Sequence, residues 1–214
     1  MINQANQQSF IVISLTAVLS MLVLAFVNSL TQGTISSNKF SSEKEELLKL
    51  IPKFYHNGGI KIESLLVPRA HWGSLGLTSD DSYHIIESYG NPVAKIIPAI
   101  GKGYSGDIKI LVSVDMSRSI IDVRVTSHSE TLGLGDQIDV TKSQWISRFS
   151  GRSLSNTVEA DWDVTSNGGA FDTFTGATIT PRTVVRQVFA ALTFENTLSN
   201  IGQDSLKNLE ELSQ

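Results

Sequence analysis

Residues 83–130 read YHIIESYGNPVAKIIPAIGKGYSGDIKILVSVDMSRSIIDVRVTSHSE, and the fold class follows largely from them. This stretch contains four runs rich in Val and Ile, in which apolar and polar positions tend to alternate. Turn sequences separate the runs: Asn-Pro at 91–92, glycines within 101–106 and Asp-Met-Ser-Arg at 115–118. Because such short connections join antiparallel neighbours, the sequence predicts a mainly antiparallel sheet.

Two short helices are predicted on either side of these strands. Ser42-Glu43-Lys44-Glu45 fits a capping box, so an amphipathic helix is expected to begin there and to be shortened or kinked by Pro52. The segment KSQWISRFSG (142–151) predicts a second short helix, with Trp145 and Phe149 four positions apart on one face. The segment WDVTSNGG (162–169) then predicts one more short strand and a turn.

A longer helix is predicted near the C-terminus. Apolar residues at positions 184, 185, 188, 189 and 192 recur with helical spacing, which indicates a helix over residues 181–202. Pro181 suits the first helical position and Thr180 suits the N-cap. Together with the predicted sheet, this helix makes the expected fold class α+β.

Composition excludes several classes of function. The 214-residue chain has a formal net charge of −4 and no run of Lys or Arg, which argues against a nucleic-acid partner. It has no cysteine, so disulfides, iron–sulfur ligation and thiol catalysis are excluded within this chain. Its four histidines have no ligand-like spacing, so no metal site is expected.

The N-terminal region predicts a membrane anchor. Residues 10–30 are uncharged and mostly apolar, and about 20 such residues are needed to span a bilayer. A cleaved signal peptide is the less favoured alternative, because the start has no Lys or Arg and no convincing cleavage site follows. The expected organisation is a tail (1–9), an anchor (10–30), a linker (31–42), one folded domain (43–200) and a polar C-terminal tail (201–214). Lysines after the span weakly favour a cytoplasmic domain, and the orientation stays open from the residues alone.

Two apparent motifs do not support a function. GKGYSG (101–106) matches G-x-G-x-x-G, but a strand-like segment follows it, whereas a dinucleotide site needs a helix there. We therefore expect a glycine turn between antiparallel strands. His128-Ser129-Glu130 resembles the first part of a zinc deaminase motif, and the cysteines of the second part are missing.

The segment FTGATITPR (174–182) is the candidate functional site. Small residues Gly176 and Ala177 allow a ligand to approach the backbone closely. A phosphate held near Thr178 would lie at the positive end of the last helix, where Arg182 could add a charge-assisted contact. From the residues alone, an ordinary capped helix start is the favoured interpretation, since Thr and Ser are common caps, and a phosphate site is the alternative.

A family resemblance favours the functional interpretation. Asp172-Thr-Phe-Thr-Gly-Ala-Thr178 resembles the flavinylation motif of the FMN-binding domain, which is shared by the G subunit of the Rnf/Rsx electron-transport complex and the C subunit of the Na⁺-translocating NADH:quinone reductase. That motif has an Asp, two variable positions, Ser or Thr, Gly, Ala and a final Thr that carries FMN through its phosphate. The resemblance thus implies that Thr178 is the FMN acceptor, and it places Asp172 and Thr175 at the other defined positions.

Three further segments resemble the G subunit, in the same order along the chain: GYSGDI (103–108), VTSHSETLGLGD (125–136) and TGATITPRTVV (175–185). One departure is Leu132, where a Pro is expected. The resemblance implies an FMN site in which backbone amides between Thr131 and Gly135 bind the polar edge of the ring. The expected cofactor-binding residues are Thr178, Asp172, Thr175, Gly176, Ala177, Thr180, Glu130, Thr131, Leu134 and Gly135.

The resemblance also implies a role and a location. We expect an electron-transfer subunit of an ion-translocating oxidoreductase, with no catalytic acid or base in this chain. Other membrane subunits, membrane lipid and a flavin transferase are the expected partners. The resemblance implies a single-pass protein of the bacterial inner membrane with its flavin domain in the periplasm. The alternatives are the quinone-reductase C subunit, a membrane-anchored FMN-binding regulatory or sensor module, and a cofactor-free anchor protein.

Overall fold

Five antiparallel strands form the sheet: β1 (Ile60–Leu66), β2 (Ser82–Ser88), β3 (Asn91–Lys102), β4 (Asp107–Asp115) and β5 (Ile120–Ser127). They follow one another in the order β1-β2-β3-β4-β5. This computed structural model describes residues 13–26, 44–53, 55 and 59–211. The antiparallel sheet and the α+β class are therefore as the sequence predicts, and GKGYSG forms the predicted turn between β3 and β4.

The register of the central strands explains their pattern of side chains. On β4, Ile108, Ile110, Val112 and Val114 are all at most 1% exposed; Lys109 and Leu111 between them are less buried, whereas Ser113 is buried as well. Residue Ile110 pairs with Ala99 on β3 and with Val125 on β5. Each such fully buried aliphatic side chain stabilises the fold by roughly 1.5–3 kcal/mol. One face of the sheet thus supplies much of the core.

A single long helix covers this sheet. It runs from Ile179 to Glu211 and packs on β3 and β4. Its buried stripe includes Val184, Val185, Val188 and Leu192, which confirms four of the five predicted positions; the fifth, Phe189, is half-buried and packs against the core. The helix begins earlier than predicted, however. Ile179 is its first residue, so Thr178 takes the capping position and the prediction of Thr180 as N-cap is wrong.

Short helices complete the domain. Trp72–Leu75 is α-helical, and 3₁₀ turns occur at Arg69–His71, Gly135–Ile138, Trp145–Phe149, Glu159–Asp161 and Thr165–Asn167. The predicted helix at 142–151 is thus confirmed as a 3₁₀ turn, and both Trp145 and Phe149 are buried in it with ring centroids 5.5 Å apart. The predicted strand within 162–169 is wrong, because only an isolated bridge between Val164 and Phe171 forms there.

The chain divides into two compact units, Met1–Leu48 and Lys49–Gln214. In the first, residues 13–26 form a helix with exposed side chains, and among the residues that the structure describes no helix is both long and apolar enough to cross a membrane. Residues 10–12, 27–30 and the predicted linker 31–42 lie outside the described residues. Residues 44–49 are helical, ahead of Pro52, while Ser42 and Glu43 of the capping box lie outside the described range.

Candidate functional site

A tight turn brings the acceptor threonine to the start of the long helix. The N–H of Ala177 donates to the carbonyl of Phe174 at 3.1 Å, and Gly176 takes a φ of +80°, which a residue without a Cβ adopts readily. Phe174 anchors the turn because its ring is buried 5.1 Å from that of Trp145. Thr178 is consequently exposed immediately before Ile179, where the first N–H groups of a helix have no partners within it.

A glycine-rich loop faces this helix start. The carbonyl of Thr131 accepts the N–H groups of Leu134 (3.2 Å) and Gly135 (3.0 Å), and the buried carboxylate of Asp136 accepts the N–H of Gly133 at 2.8 Å. These hydrogen bonds give the loop a defined shape. The amides of Gly133, Leu134 and Gly135 thus have partners within the loop, and the binding of a ring edge by amides between Thr131 and Gly135 stays a prediction.

The turn between β3 and β4 is the third segment that lies next to the helix start and the glycine-rich loop. The N–H of Gly103 donates to the carbonyl of Gly106 at 2.7 Å, and the intervening Tyr104 extends into solvent with 74% of its surface exposed. Its backbone N–H donates to the carboxylate of Glu130 at 3.3 Å, which ties the turn to the glycine-rich loop. Three separate segments of the chain thus surround one space.

This space is an open cleft of about 340 Å³. Eight of the ten predicted site residues line it, and the structure adds Tyr104 and Ile179; the full lining is Tyr104, Glu130, Thr131, Leu134, Gly135, Gly176, Ala177, Thr178, Ile179 and Thr180. The sequence could have indicated Tyr104, because it is an aromatic residue within the glycine turn of the GYSGDI segment. Ile179 carried no such signal.

Two predicted site residues lie outside the cleft. The carboxylate of Asp172 pairs with Arg148 at the surface, where both side chains are about half exposed, and its backbone carbonyl accepts the indole N–H of Trp145 at 2.9 Å. Thr175 is exposed in the turn and does not line the cleft. The structure therefore divides the Asp172–Thr178 motif between an outer surface and the cleft.

Arg182 does not reach the cleft as predicted. Its guanidinium binds the carboxylate of Asp163 at 3.1–3.3 Å, and Arg186 binds the same carboxylate at 3.1 Å. Partial burial would raise the pKa of Asp163, but the hydrogen bonds from Arg182, the Val164 N–H and Arg186 outweigh that effect and lower this pKa to about 2. Helix-end N–H groups, rather than this arginine, are thus what a phosphate at Thr178 would meet.

The cleft has the properties that FMN requires. Its volume lies at the low end for a cofactor pocket, and its mouth is lined by exposed Thr178, Tyr104 and Ile179. Apolar side chains, among them Leu134 and Ile179, could contact a flat ring, while the helix start suits a phosphate. Across the residues that the structure describes, no group of three acidic or histidine side chains could hold a metal ion.

Comparison with known protein families agrees with this class of site. The family model described as "FMN-binding domain" matches residues 103–193, a range that includes every residue lining the cleft. The fold and the cleft thus define a domain of the FMN-binding class.

Relatives identify the family within that class. Proteins named as the G subunit of an ion-translocating oxidoreductase complex are 40% identical in Pectobacterium atrosepticum (82% of this chain, 83% of the relative), 39% in Photorhabdus laumondii (83% and 84%) and 36% in Escherichia coli K12 (81% and 83%). The chain belongs to the family of these G subunits. A crystal structure of Shewanella oneidensis NqrC is also similar, with 23% identity, a TM-score of 0.46 and coverage of 64% of this chain and 69% of that one.

Proposed function

We propose that this chain is the FMN-carrying electron-transfer subunit of a membrane-bound, ion-translocating oxidoreductase of the Rnf type, with FMN attached through its phosphate to Thr178. The observation that carries the proposal is the position of Thr178, which is exposed at the rim of the cleft and directly precedes the 33-residue helix. Membership in the G-subunit family supports the electron-transfer role.

The attachment reaction needs a separate flavin transferase that uses FAD. A bond forms between the Thr178 oxygen and the phosphorus on the FMN half of FAD, and the threonine hydroxyl loses its proton. The bond that links this phosphorus to the AMP half breaks, and AMP leaves. This chain supplies only the acceptor and its surroundings. The first turn of the helix carries no Asp or Glu of its own, and the negative phosphodiester would lie at the favourable end of the helix dipole.

The remaining contacts hold the cofactor rather than react with it. When bound, FMN exchanges one or two electrons, and the protein binds and orients it and provides its electrostatic environment. Leu134 and Ile179 provide apolar walls, and the open mouth leaves space for a redox partner to approach. A phosphoester keeps the cofactor from dissociating while leaving its ring unmodified. No residue of the cleft needs to act as an acid or base in this role.

The location is part of the proposal. Residues 10–30 would form a single membrane-spanning anchor, since they carry no charge and have the length that a span needs. The folded domain would then lie on the periplasmic side of the inner membrane, beside the other subunits of the complex. The resemblance to the G subunit supports this orientation against the weak lysine signal.

A second candidate is a regulatory or sensor module that uses the same FMN domain. Relatives that cover four-fifths of the chain and are named as complex subunits favour the electron-transfer role. The two are separated by a partner test. Membranes that contain the remaining subunits should reduce and reoxidise the flavin of an electron carrier during turnover, whereas a sensor would respond without passing electrons onward.

The acceptor is tested by flavin fluorescence on denaturing gels. The full chain is produced together with an active flavin transferase, beside Thr178→Ala and the matched control Thr173→Ala, which removes a nearby hydroxyl at a variable position of the motif and outside the cleft. Wild type should remain fluorescent after denaturation, and Thr178→Ala should not. Fluorescence that persists in Thr178→Ala would refute the assignment, as would its absence from wild type.

A further inference from the structure

The carboxylate of Glu130 lies beneath the cleft and has hydrogen-bond partners on both oxygens. It is 5% exposed. One oxygen accepts the N–H of Ser105 at 3.0 Å. The other accepts the N–H of Tyr104 at 3.3 Å and a short hydrogen bond from the hydroxyl of Thr180, which is completely buried. We call Glu130, Thr180 and these two backbone N–H groups the Glu130 cluster.

Two glycines pack closely around this cluster. A Cβ added to Gly103 would lie 2.3 Å from a carboxylate oxygen of Glu130. A Cβ added to Gly135 would lie 3.0 Å from both the Cβ of Glu130 and the hydroxyl oxygen of Thr180. Since each oxygen is already hydrogen bonded and the surroundings are this tight, the carboxylate has little capacity to bind a cofactor atom directly. Its donors all come from the protein.

The cluster connects the three segments that surround the cleft. Glu130 begins the glycine-rich loop, Tyr104 and Ser105 belong to the β3–β4 turn, and Thr180 lies in the first turn of the long helix. Thr180 is only two residues beyond the proposed acceptor Thr178. The hydrogen bond between Thr180 and Glu130 therefore fixes the helix start, and with it Thr178, relative to the opposite wall of the cleft.

We propose that Glu130 and Thr180 are positioning residues for the modification of Thr178: the hydrogen bond between their side chains holds the acceptor hydroxyl in place. This inference rests on the proposed function, because it concerns the rate at which Thr178 receives FMN. Loss of the Thr180 hydroxyl would leave a buried carboxylate with one donor fewer and release the helix start, and small displacements of a reacting group lower rates strongly.

The test compares transfer kinetics on the full chain with purified flavin transferase and FAD. Thr180→Val removes the hydroxyl and keeps the side-chain shape, whereas Thr180→Ser restores a hydroxyl. Glu195→Gln is the matched control, since Glu195 is also a buried acid on an element of the site, roughly 22 Å along the same helix from Thr180. The reactions are run well below each variant's unfolding temperature, and intact mass gives the extent of modification over time.

Thr180→Val should lower the kcat of modification about tenfold or more, because the acceptor is misplaced, while the KM for the protein stays unchanged because its outer surface is intact. Thr180→Ser should recover most of the rate, and Glu195→Gln should match wild type even if its unfolding temperature falls. Equal slowing of Thr180→Val and Glu195→Gln would show a general loss of stability and overturn the inference. A wild-type rate in Thr180→Val would also overturn it. An unmodified wild type would instead refute the acceptor assignment itself.

Discussion

Asp163→Asn tests the ion pair that fixes the segment before the site to the long helix. In the folded protein the pKa of Asp163 falls from its ordinary value of 3.8 to about 2, since its hydrogen bonds with Arg182, Val164 and Arg186 outweigh the effect of partial burial. A difference of this size corresponds to at most ~2.4 kcal/mol of stability above pH 4. Both guanidiniums are about half exposed, so screening by solvent reduces the expected loss to about 1–2 kcal/mol.

The pH dependence gives the sign of the effect. A lowered folded-state pKa stabilises the protein at pH values above 3.8, and this contribution is lost as the pH falls toward about 2. Urea unfolding at pH 7 should therefore show a clear loss of stability in Asp163→Asn, and the difference from wild type should shrink as the pH approaches 2. The control Asp172→Asn disrupts an exposed pair with Arg148 and should change stability by at most about 0.5 kcal/mol. Equal stability of Asp163→Asn and wild type at pH 7 would refute the reasoning.

Three further substitutions test a ring stack, a buried ion pair and a turn conformation, each by urea unfolding of the unmodified protein. Phe171→Ala should cost about 3–5 kcal/mol, because its buried ring stacks on Phe149 with centroids 4.5 Å apart; a loss below about 1 kcal/mol would contradict this packing. Lys95→Ala should cost about 3 kcal/mol, since it leaves the buried carboxylate of Glu195 without its cation at 2.8 Å, whereas an unchanged midpoint would argue against that pair. Gly176→Ala should cost about 1 kcal/mol because of the φ of +80°, and a more stable variant would show that the turn has a different conformation.

Strands β2 to β5 were predictable because each carries its own pattern. Burial alternates along the first half of β4 as its sequence does, and each turn that joins successive strands from β2 to β5 contains Gly or Ser, which fit short connections. The strand β1 was not predicted. It lies at the edge of the sheet, and most positions of IKIESLL are partly or fully exposed, so it lacks a clear buried face.

The start of the long helix could not be located from local sequence. Pro181 and Thr180 fit the rules for a first helical residue and a cap, yet the helix begins at Ile179. Pro181 is tolerated two positions later, since N–H groups in the first turn have no partners within the helix. The hydroxyl of Thr180 donates to Glu130, fifty positions away in sequence. Only the tertiary structure brings these two residues together.

The candidate site was only partly predictable, because tertiary contacts decide which of its residues lie in the cleft. The motif and loop sequences indicated eight residues that the structure places around one cleft. They did not indicate that Arg182 binds Asp163, or that Asp172 pairs with Arg148 outside the cleft, because both contacts join segments that are distant or differently oriented in the fold. Local sequence identified the chemical groups, and long-range contacts determined which of them share the cleft.

Peptide mass spectrometry shows whether Thr178 carries FMN. The full chain is produced with an active flavin transferase and digested, and the peptide that contains residues 174–182 is fragmented. Wild type should carry an added mass equal to FMN less one water on Thr178, and Thr178→Ala should lack it. The same mass on Thr175 or Thr180, or an unmodified peptide while a control substrate is modified, would show that Thr178 is not the acceptor.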